Sequence, residues 1–442
     1  MFSRKDLRNL ILPLIVEQFL AATIGMADTL MVSSVGEVAV SGVSLVDSIN
    51  ILLIQVFAAL ATGGAIVSAQ YLGREDHENA NQAAKQLLLV TGVLSLAIMT
   101  ICLIGQKWII SGLFGAAEPL VLENANVYFL ISALSYPFIA TYNSGAALFR
   151  SMGNSRISMI ASIMMNVVNI SGNAILIYGF GMGAAGAGIA SLLSRMAGAV
   201  MMVVLLRNPH NVIHLEHLLH WEYKPAMVKN ILRVGVPTGL ENGMFHIGKI
   251  LVAGLIATFG TVAITANAIS NNIAALSQIP GSAIGLAMVT VVGQCVGARS
   301  YDQAQSYALK LTGLAYLLMG ALNLALLFNL RPVIGLYGQL SPETIETATQ
   351  IMIYHCFCCM TLWPAAFCLP NGLRAANDVR FTMTTSIFSM WVFRIGFSYI
   401  IGKFMGVGVL GVWIAMFIDW LFRSVVFVVR LLRGRWKEKQ FI

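Results

Sequence analysis

The chain has 442 residues, of which 58% are hydrophobic and only 10% charged, whereas a soluble domain charges roughly a quarter of its residues. So few charges cannot clothe a soluble body of this size, and the surrounding medium is a lipid bilayer. The net charge of +8 does not point to nucleic acid, because the lysines and arginines fall almost entirely in short loops on one side of the spans.

The first apolar stretch, residues 7–32, carries Glu17, Gln18 and Asp28. It lacks the short clean apolar core of a cleaved signal and reads as the first span. Apolar runs of about 20 residues or more predict helices near 10–33, 44–71, 86–108, 121–148, 157–178 and 184–206. Six more follow near 232–258, 263–296, 308–330, 344–372, 381–402 and 406–431. The long polar stretch 207–229 between them predicts an N-terminal six-helix lobe over 1–206, a cytoplasmic linker over 207–229 and a C-terminal lobe over 230–442. With both ends inside, twenty lysines and arginines fall on the cytoplasmic side and only Lys107, Arg331 and Lys403 outside, so both termini are expected in the cytoplasm. The six cysteines, Cys102, Cys295, Cys356, Cys358, Cys359 and Cys368, lie almost wholly in apolar segments and read as core thiols, with neither a disulfide framework nor a zinc site.

Sliding the chain by 224 residues brings Pro13 onto Pro237, Glu17 onto Glu241, Gly36 onto Gly260, Gln70 onto Gln294, and Arg150 and Arg156 onto Arg374 and Arg380. A shift that stays in phase over so long a stretch is an internal duplication. Six spans per copy is an even number, so both copies enter from the same side. The expected fold is an all-α polytopic membrane protein, twelve transmembrane helices in two lobes related by a pseudo-two-fold axis along the membrane normal, a common plan of secondary transporters.

An ionisable group within a span is costly and marks function by default. Asp28 lies about 27 Å along the first helix at 1.5 Å of rise per residue. On the fifth, Asn166, Asn169 and Asn173 share one face at i, i+3 and i+7. Asn169, Asn173 and Ser191 on the sixth helix come to a matching depth, and Asp28 is the one carboxylate placed beside them. One carboxylate, two amides and a hydroxyl make a hard oxygen site for H⁺ or Na⁺. The alternative is that the asparagines simply glue helices together. Against this, the second copy has Val252, Phe393 and Phe397 at the matching positions, and glue should recur where a coupling site need not.

In the second lobe Glu241, His246 and Lys249 share the seventh helix, while Arg394, Asp419 and Arg423 lie on the eleventh and twelfth. The spacing predicts a buried ion-pair network among them, with Glu17 and Glu241 as candidate gate residues. Gly243, Gly248 and Lys249 imitate a phosphate-binding loop, but Ile250 stands where a Ser or Thr is needed and the segment lies within a span. His210, His214, His217 and His220 follow helical spacing in the linker and predict an interfacial helix in preference to a metal site. No catalytic motif of the HExxH, GxSxG or paired aspartate-rich kind is present, so the chain is not expected to be an enzyme.

The segments PLIVEQFLAATIGMADTLMV, ALFRSMGNSR, NVVNISGNAILIYG, GAAGAGIAS and VGVPTGLENGMF together resemble the multidrug and toxic compound extrusion (MATE) family over nearly the whole chain. The resemblance implies a V-shaped pair of lobes that exports organic, often cationic, compounds by alternating access in exchange for H⁺ or Na⁺, with no other cofactor. It implies that Asp28 is the first-lobe acid, Asn169 and Asn173 the polar ligands of the fifth helix, and Ser191 the hydroxyl of the sixth. The NorM-type branch places further carboxylates on helices seven and ten; here Phe245 holds the first position and no acid lies between 351 and 374. The pattern is therefore closer to the DinF-like branch. The expected setting is a prokaryotic plasma membrane, with small organic substrates and lipid as partners, no nucleic acid, and a monomer. A flippase for a lipid-linked saccharide is the alternative, which Lys249, Arg394 and Arg195 would serve by holding a pyrophosphate head.

Overall fold

The computed structural model describes residues 1–215, 222–338 and 340–439. A backbone in lipid must satisfy every N–H and C=O internally, and among the described residues the chain does so with helices alone. They form two compact units, one over Ser3–Gly239 and one over Leu240–Ile442 together with Met1–Phe2.

The first unit contains α1 (Arg4–Ser33), α2 (Glu37–Gly73), α3 (His77–Phe114), α4 (Pro119–Leu134), α5 (Tyr136–Ser151), α6 (Ser155–Asn173) and α7 (Gly183–Leu206). Helix α8 (Pro225–Ala257) carries the chain into the second unit, which continues with α9 (Thr261–Ser277), α10 (Ile279–Gly297), α11 (Tyr301–Phe328), α12 (Leu330–Gly335), α13 (Pro342–Thr361), α14 (Leu369–Ala375), α15 (Val379–Ser389) and α16 (Val409–Leu432). Wider π-type turns extend α6 over Ala174–Gly179, join α13 to α14 over Pro364–Cys368 and continue α15 over Met390–Gly396 and Ser398–Phe404. Ten helices among the described residues are long and apolar enough to cross a membrane, and the bent pair Pro342–Thr361 with Pro364–Ala375 makes an eleventh crossing. The shorter α4, continued by α5, completes twelve.

Three segments expected as single helices, 121–148, 263–296 and 344–372, are broken. The breaks fall at Ser135, at Gln278 and around Leu362–Trp363, each one or two residues before Pro137, Pro280 or Pro364. A proline inside a helix removes one donor and presses its ring on the carbonyl four residues back; at the third break the two arms diverge by 61°. Elsewhere small residues let helices close on one another, as lipid-embedded bundles require. A Cβ on Gly63 would lie 2.6 Å from the Ile231 carbonyl oxygen, so α2 and α8 touch backbone to backbone.

The duplication is visible in the backbone itself. Left-handed or otherwise positive φ angles occur at Gly36 and Gly260 (131° and 101°), at Glu75 and Arg299 (60° and 56°), and at Gly153 and Asn377 (78° and 69°). Each pair is separated by the same 224 residues. Because side chains other than that of Asn or Asp rarely adopt that region, its recurrence at Glu75 and Arg299 shows that the two copies hold the same turn geometry without glycine.

The linker departs from expectation. Residues 207–215 form turns and bends, not a helix. Asn208 and Pro209 explain it: the Asn208 side chain accepts from the His210 backbone N–H at 3.0 Å, the local bond by which asparagine competes with helix. His214 donates its backbone N–H to Asn81, while His217 and His220 lie outside the described residues. Among the described residues no cluster of His, Cys, Asp and Glu could hold a metal ion, and the six cysteines are free thiols, five of them buried.

Candidate functional site

In the first unit, α1, α6 and α7 bring the four expected residues together. Asn173, fully buried, donates from Nδ2 to Asp28 Oδ1 at 2.5 Å and lies 3.4 Å from Asn169 Oδ1. Asn169 in turn donates to Ser191 Oγ at 3.3 Å. Asn166, although on the same face, turns back to donate to the Ser162 carbonyl and stays outside the cluster. Immediately after Asn173 the helix widens into its π turns, a distortion that recurs at functional sites.

One atom in this cluster lacks a partner. Asn173 Oδ1 is buried and accepts no hydrogen bond among the described residues, and leaving such an oxygen unsatisfied costs about 1–3 kcal/mol. It stands next to a carboxylate, a second amide and a hydroxyl, so the donor set is all oxygen and carries one negative charge. That composition fits a small hard cation.

Sequence reading missed a second acid here. Asp47 on α2 accepts from Asn50 Nδ2 and from the Tyr128 hydroxyl, both at 3.2 Å. Asn50 is itself held by the Tyr136 hydroxyl at 2.9 Å and by Ser132. Arg195 on α7 donates to Ser135 Oγ at 2.5 Å and lies within electrostatic reach of both Asp28 and Asp47. Asp28 is therefore not the lone carboxylate near this cluster: Asp47 lies within electrostatic reach of it. The signal was available, since Asp47 and Asn50 stand one helical turn apart, but they open the apolar run at 44 and read as a helix end.

The two repeat-mate glutamates make the same bond in each unit. Glu17 pairs with Arg150 at 2.9 Å and also accepts from Ser158 at 2.7 Å, and Glu241 pairs with Arg374 at 2.6 Å. Both carboxylates are buried, at 5% and 8% exposure, and each ties the proline-bearing helix of its unit to the far end of the broken one.

In the second unit the expected network forms only in part. Arg423 binds Asp419 at 2.8 Å, and Ser389 also donates to that carboxylate. Lys249 and Arg394 instead approach the Phe245 ring, at 5.7 and 5.0 Å from its centre. Where the first unit has Asn169 and Asn173, this one has Phe393 and Phe397, packed edge to face at 5.4 Å, with Phe422 at 4.8 Å from Phe393. Aromatic rings occupy the place of the oxygen site. Gly248 lies inside α8, packed against Met390 and Ile395, so no phosphate-binding loop exists there.

The model of the MatE family matches the chain twice, over residues 13–175 and 237–400. The chain belongs to the MatE family. Its two matches begin 224 residues apart, at 13 and 237, the spacing of the repeat. Among curated proteins the chain is 26% identical to the uncharacterized transporter YisQ of Bacillus subtilis, over 99% of this chain and 95% of that one. It is likewise 26% identical to a probable multidrug resistance protein NorM of Thermotoga maritima, over 99% and 94%. Among solved structures it shares its fold with an outward-facing multidrug resistance MATE family transporter of the MOP superfamily, at a TM-score of 0.90 and 22% identity over 98% of this chain and 95% of that one. The chain is thus a multi-pass membrane protein of a transporter family.

Proposed function

We propose that the chain is a secondary active multidrug exporter that moves organic compounds outward by alternating access in exchange for an inward cation, H⁺ or Na⁺. The observation that carries the coupling is the buried, unpartnered Asn173 Oδ1 beside Asp28, in a cluster whose other oxygens come from Asn169 and Ser191. The multidrug resistance names of several relatives support the export reading.

Asp28 holds the negative charge that an entering cation neutralises, and Asn173 and Asn169 supply neutral oxygens that follow it in either protonation state. Neutralising Asp28 removes its grip on the Asn173 amide, so α1 and α6 can repack. A cation then favours one arrangement and substrate the other, and this difference in affinity is all that antiport requires. Arg195 limits the net charge that two acids would otherwise leave in the lobe. The twenty-to-three distribution of lysine and arginine supports a plasma-membrane orientation with both termini and the 207–229 linker in the cytoplasm, and a monomer suffices because all four residues of the cluster come from one unit.

The test uses the purified chain in proteoliposomes loaded with ethidium, with a pH gradient and a Na⁺ gradient imposed separately. Dye movement driven by one of them supports the reading and names the ion. Movement insensitive to both overturns it.

A further inference from the structure

The second unit holds cations that its own acids do not balance. Its buried carboxylates among the described residues, Glu241, Asp378 and Asp419, are each bound to an arginine, Arg374, Arg430 and Arg423. Lys249 on α8 and Arg394 in the wider turns after α15 form no ion pair among the described residues, although Asp419 lies within electrostatic reach of Arg394. Arg394 is only 9% exposed, and its guanidinium donates no hydrogen bond among the described residues; what it meets is the face of Phe245. The five donors of its fork are therefore free to bind an acceptor from outside the protein.

The surroundings specify what would accept. Phe245 has the Lys249 ammonium 5.7 Å and the Arg394 guanidinium 5.0 Å from its centre, and abuts Phe367, whose ring carries Arg423 at 5.1 Å. Phe367 continues the surface to Trp363 and Trp420. Two positive charges, neither held in an ion pair, thus sit on an aromatic floor. The guanidinium fork suits the paired oxygens of a carboxylate, sulfonate or phosphate, the ammonium adds charge without fixing direction, and the rings suit an apolar or aromatic body.

We propose that Arg394 and Lys249 form an anion-binding subsite of the second unit, which takes the acidic group of an amphipathic organic substrate while Phe245 and Phe367 receive its apolar part. The inference rests on the export reading above and narrows it: the substrates include organic anions or zwitterions, not cations alone. His246, in edge contact with Phe245, is the other titratable group at this ring, and Asp419, bound to Arg423, is the acid within electrostatic reach of Arg394.

The experiment measures equilibrium binding of 5-carboxyfluorescein and of ethidium, by anisotropy, to the full chain in phosphatidylcholine nanodiscs. Carboxyfluorescein should bind the wild type. Arg394→Gln should weaken it by about tenfold or more, as loss of a charge-assisted pair implies, with ethidium unchanged. Lys249→Gln should weaken it less, and Arg394→Lys should recover part of the loss by restoring charge without the fork. The proposal is overturned if the wild type does not bind carboxyfluorescein, or if Lys249→Gln and Arg394→Gln bind it as the wild type does. Should Arg394→Gln fail to fold, the accessible Lys249 decides alone. Repeating the titration in phosphatidylglycerol discs separates the two sources of such an anion. Competition there assigns the subsite to a lipid headgroup and overturns the substrate reading, whereas unchanged affinity assigns it to a soluble organic anion and supports it. Cation-driven ethidium transport with no anion binding would sink this inference and leave the export reading standing; loss of gradient dependence with anion binding intact would do the reverse.

Discussion

Asp28→Asn is the sharpest perturbation of the proposed coupling, because it removes one charge and changes almost no volume. Asn173 Nδ2 donates to Asp28 Oδ1 at 2.5 Å, and an asparagine oxygen can still accept that bond. The stability lost is the difference between a charge-assisted and a neutral hydrogen bond, about 1 kcal/mol, which leaves the protein folded and inserted. The function lost is larger. One charge entering across 100 mV contributes about 2.3 kcal/mol, equivalent to a roughly 50-fold concentration ratio of substrate. In proteoliposomes with a 100 mV potential added to the cation gradient, the wild type should sustain a gradient of that order per net charge moved for a neutral dye. For singly charged ethidium in one-for-one exchange, where the potential cancels, it should sustain a gradient set by the cation concentration ratio; Asp28→Asn should only equilibrate either dye. Binding of dye in the absence of a gradient should survive. If Asp28→Asn transports at the wild-type rate under the same gradient, the coupling acid is another residue. Asp47, which lies within electrostatic reach of it, is the first to replace.

Two further perturbations follow from the same geometry. Asn173→Ala removes the donor to Asp28 and the unpartnered oxygen together, so the apparent affinity for the coupling cation should fall by about tenfold while transport at saturating gradient persists; an unchanged cation dependence would remove Asn173 from the site. Glu17→Gln and Glu241→Gln each leave a buried arginine without its carboxylate, which costs about 3–5 kcal/mol, so both variants should lose thermal stability in detergent by similar amounts, and a large effect in one unit with none in the other would contradict the equivalence of the two bonds.

Much of this molecule is legible in its sequence because lipid imposes simple rules. Apolar run length located the twelve crossings, and the 224-residue shift paired Glu17 with Glu241 and Arg150 with Arg374 before their bonds were visible. The depth argument that set Asp28 beside Asn169, Asn173 and Ser191 worked because rise per residue is fixed in a straight helix. It was blind where helices are not straight. The breaks before Pro137, Pro280 and Pro364 do not interrupt hydrophobicity, and hydrophobicity was the signal used to draw the spans. Asp47 was passed over for a related reason: α2 begins at Glu37, well before its apolar run, so an acid at the edge of the run lies a full ten residues inside the helix. The partner choice of Lys249 and Arg394 was illegible altogether, since spacing shows which side chains share a face but not that both approach the Phe245 ring.

The units keep one scaffold and have exchanged their chemistry in opposite directions. Asp28, Asn169 and Asn173 correspond to Val252, Phe393 and Phe397, while Phe245, Lys249 and Arg394 correspond to Ala21, Gly25 and Ile170. On the proposed roles, neither set is a worn copy of the other. Val252→Asp in the Asp28→Asn background tests this reading. A repeat that had merely lost an acid would regain cation coupling when the acid returned. Here the substitution should fail, because Phe393 and Phe397 pack against one another and supply no oxygen to complete a cation site. The new carboxylate would instead lie one turn from Lys249 at i, i+3, on the same face of α8, and cancel the charge beside Phe245. Coupling should therefore stay absent while carboxyfluorescein affinity falls. Restored gradient-driven efflux would show that the aromatic cluster can open to a cation and that the division of labour between the units is less strict than their side chains imply.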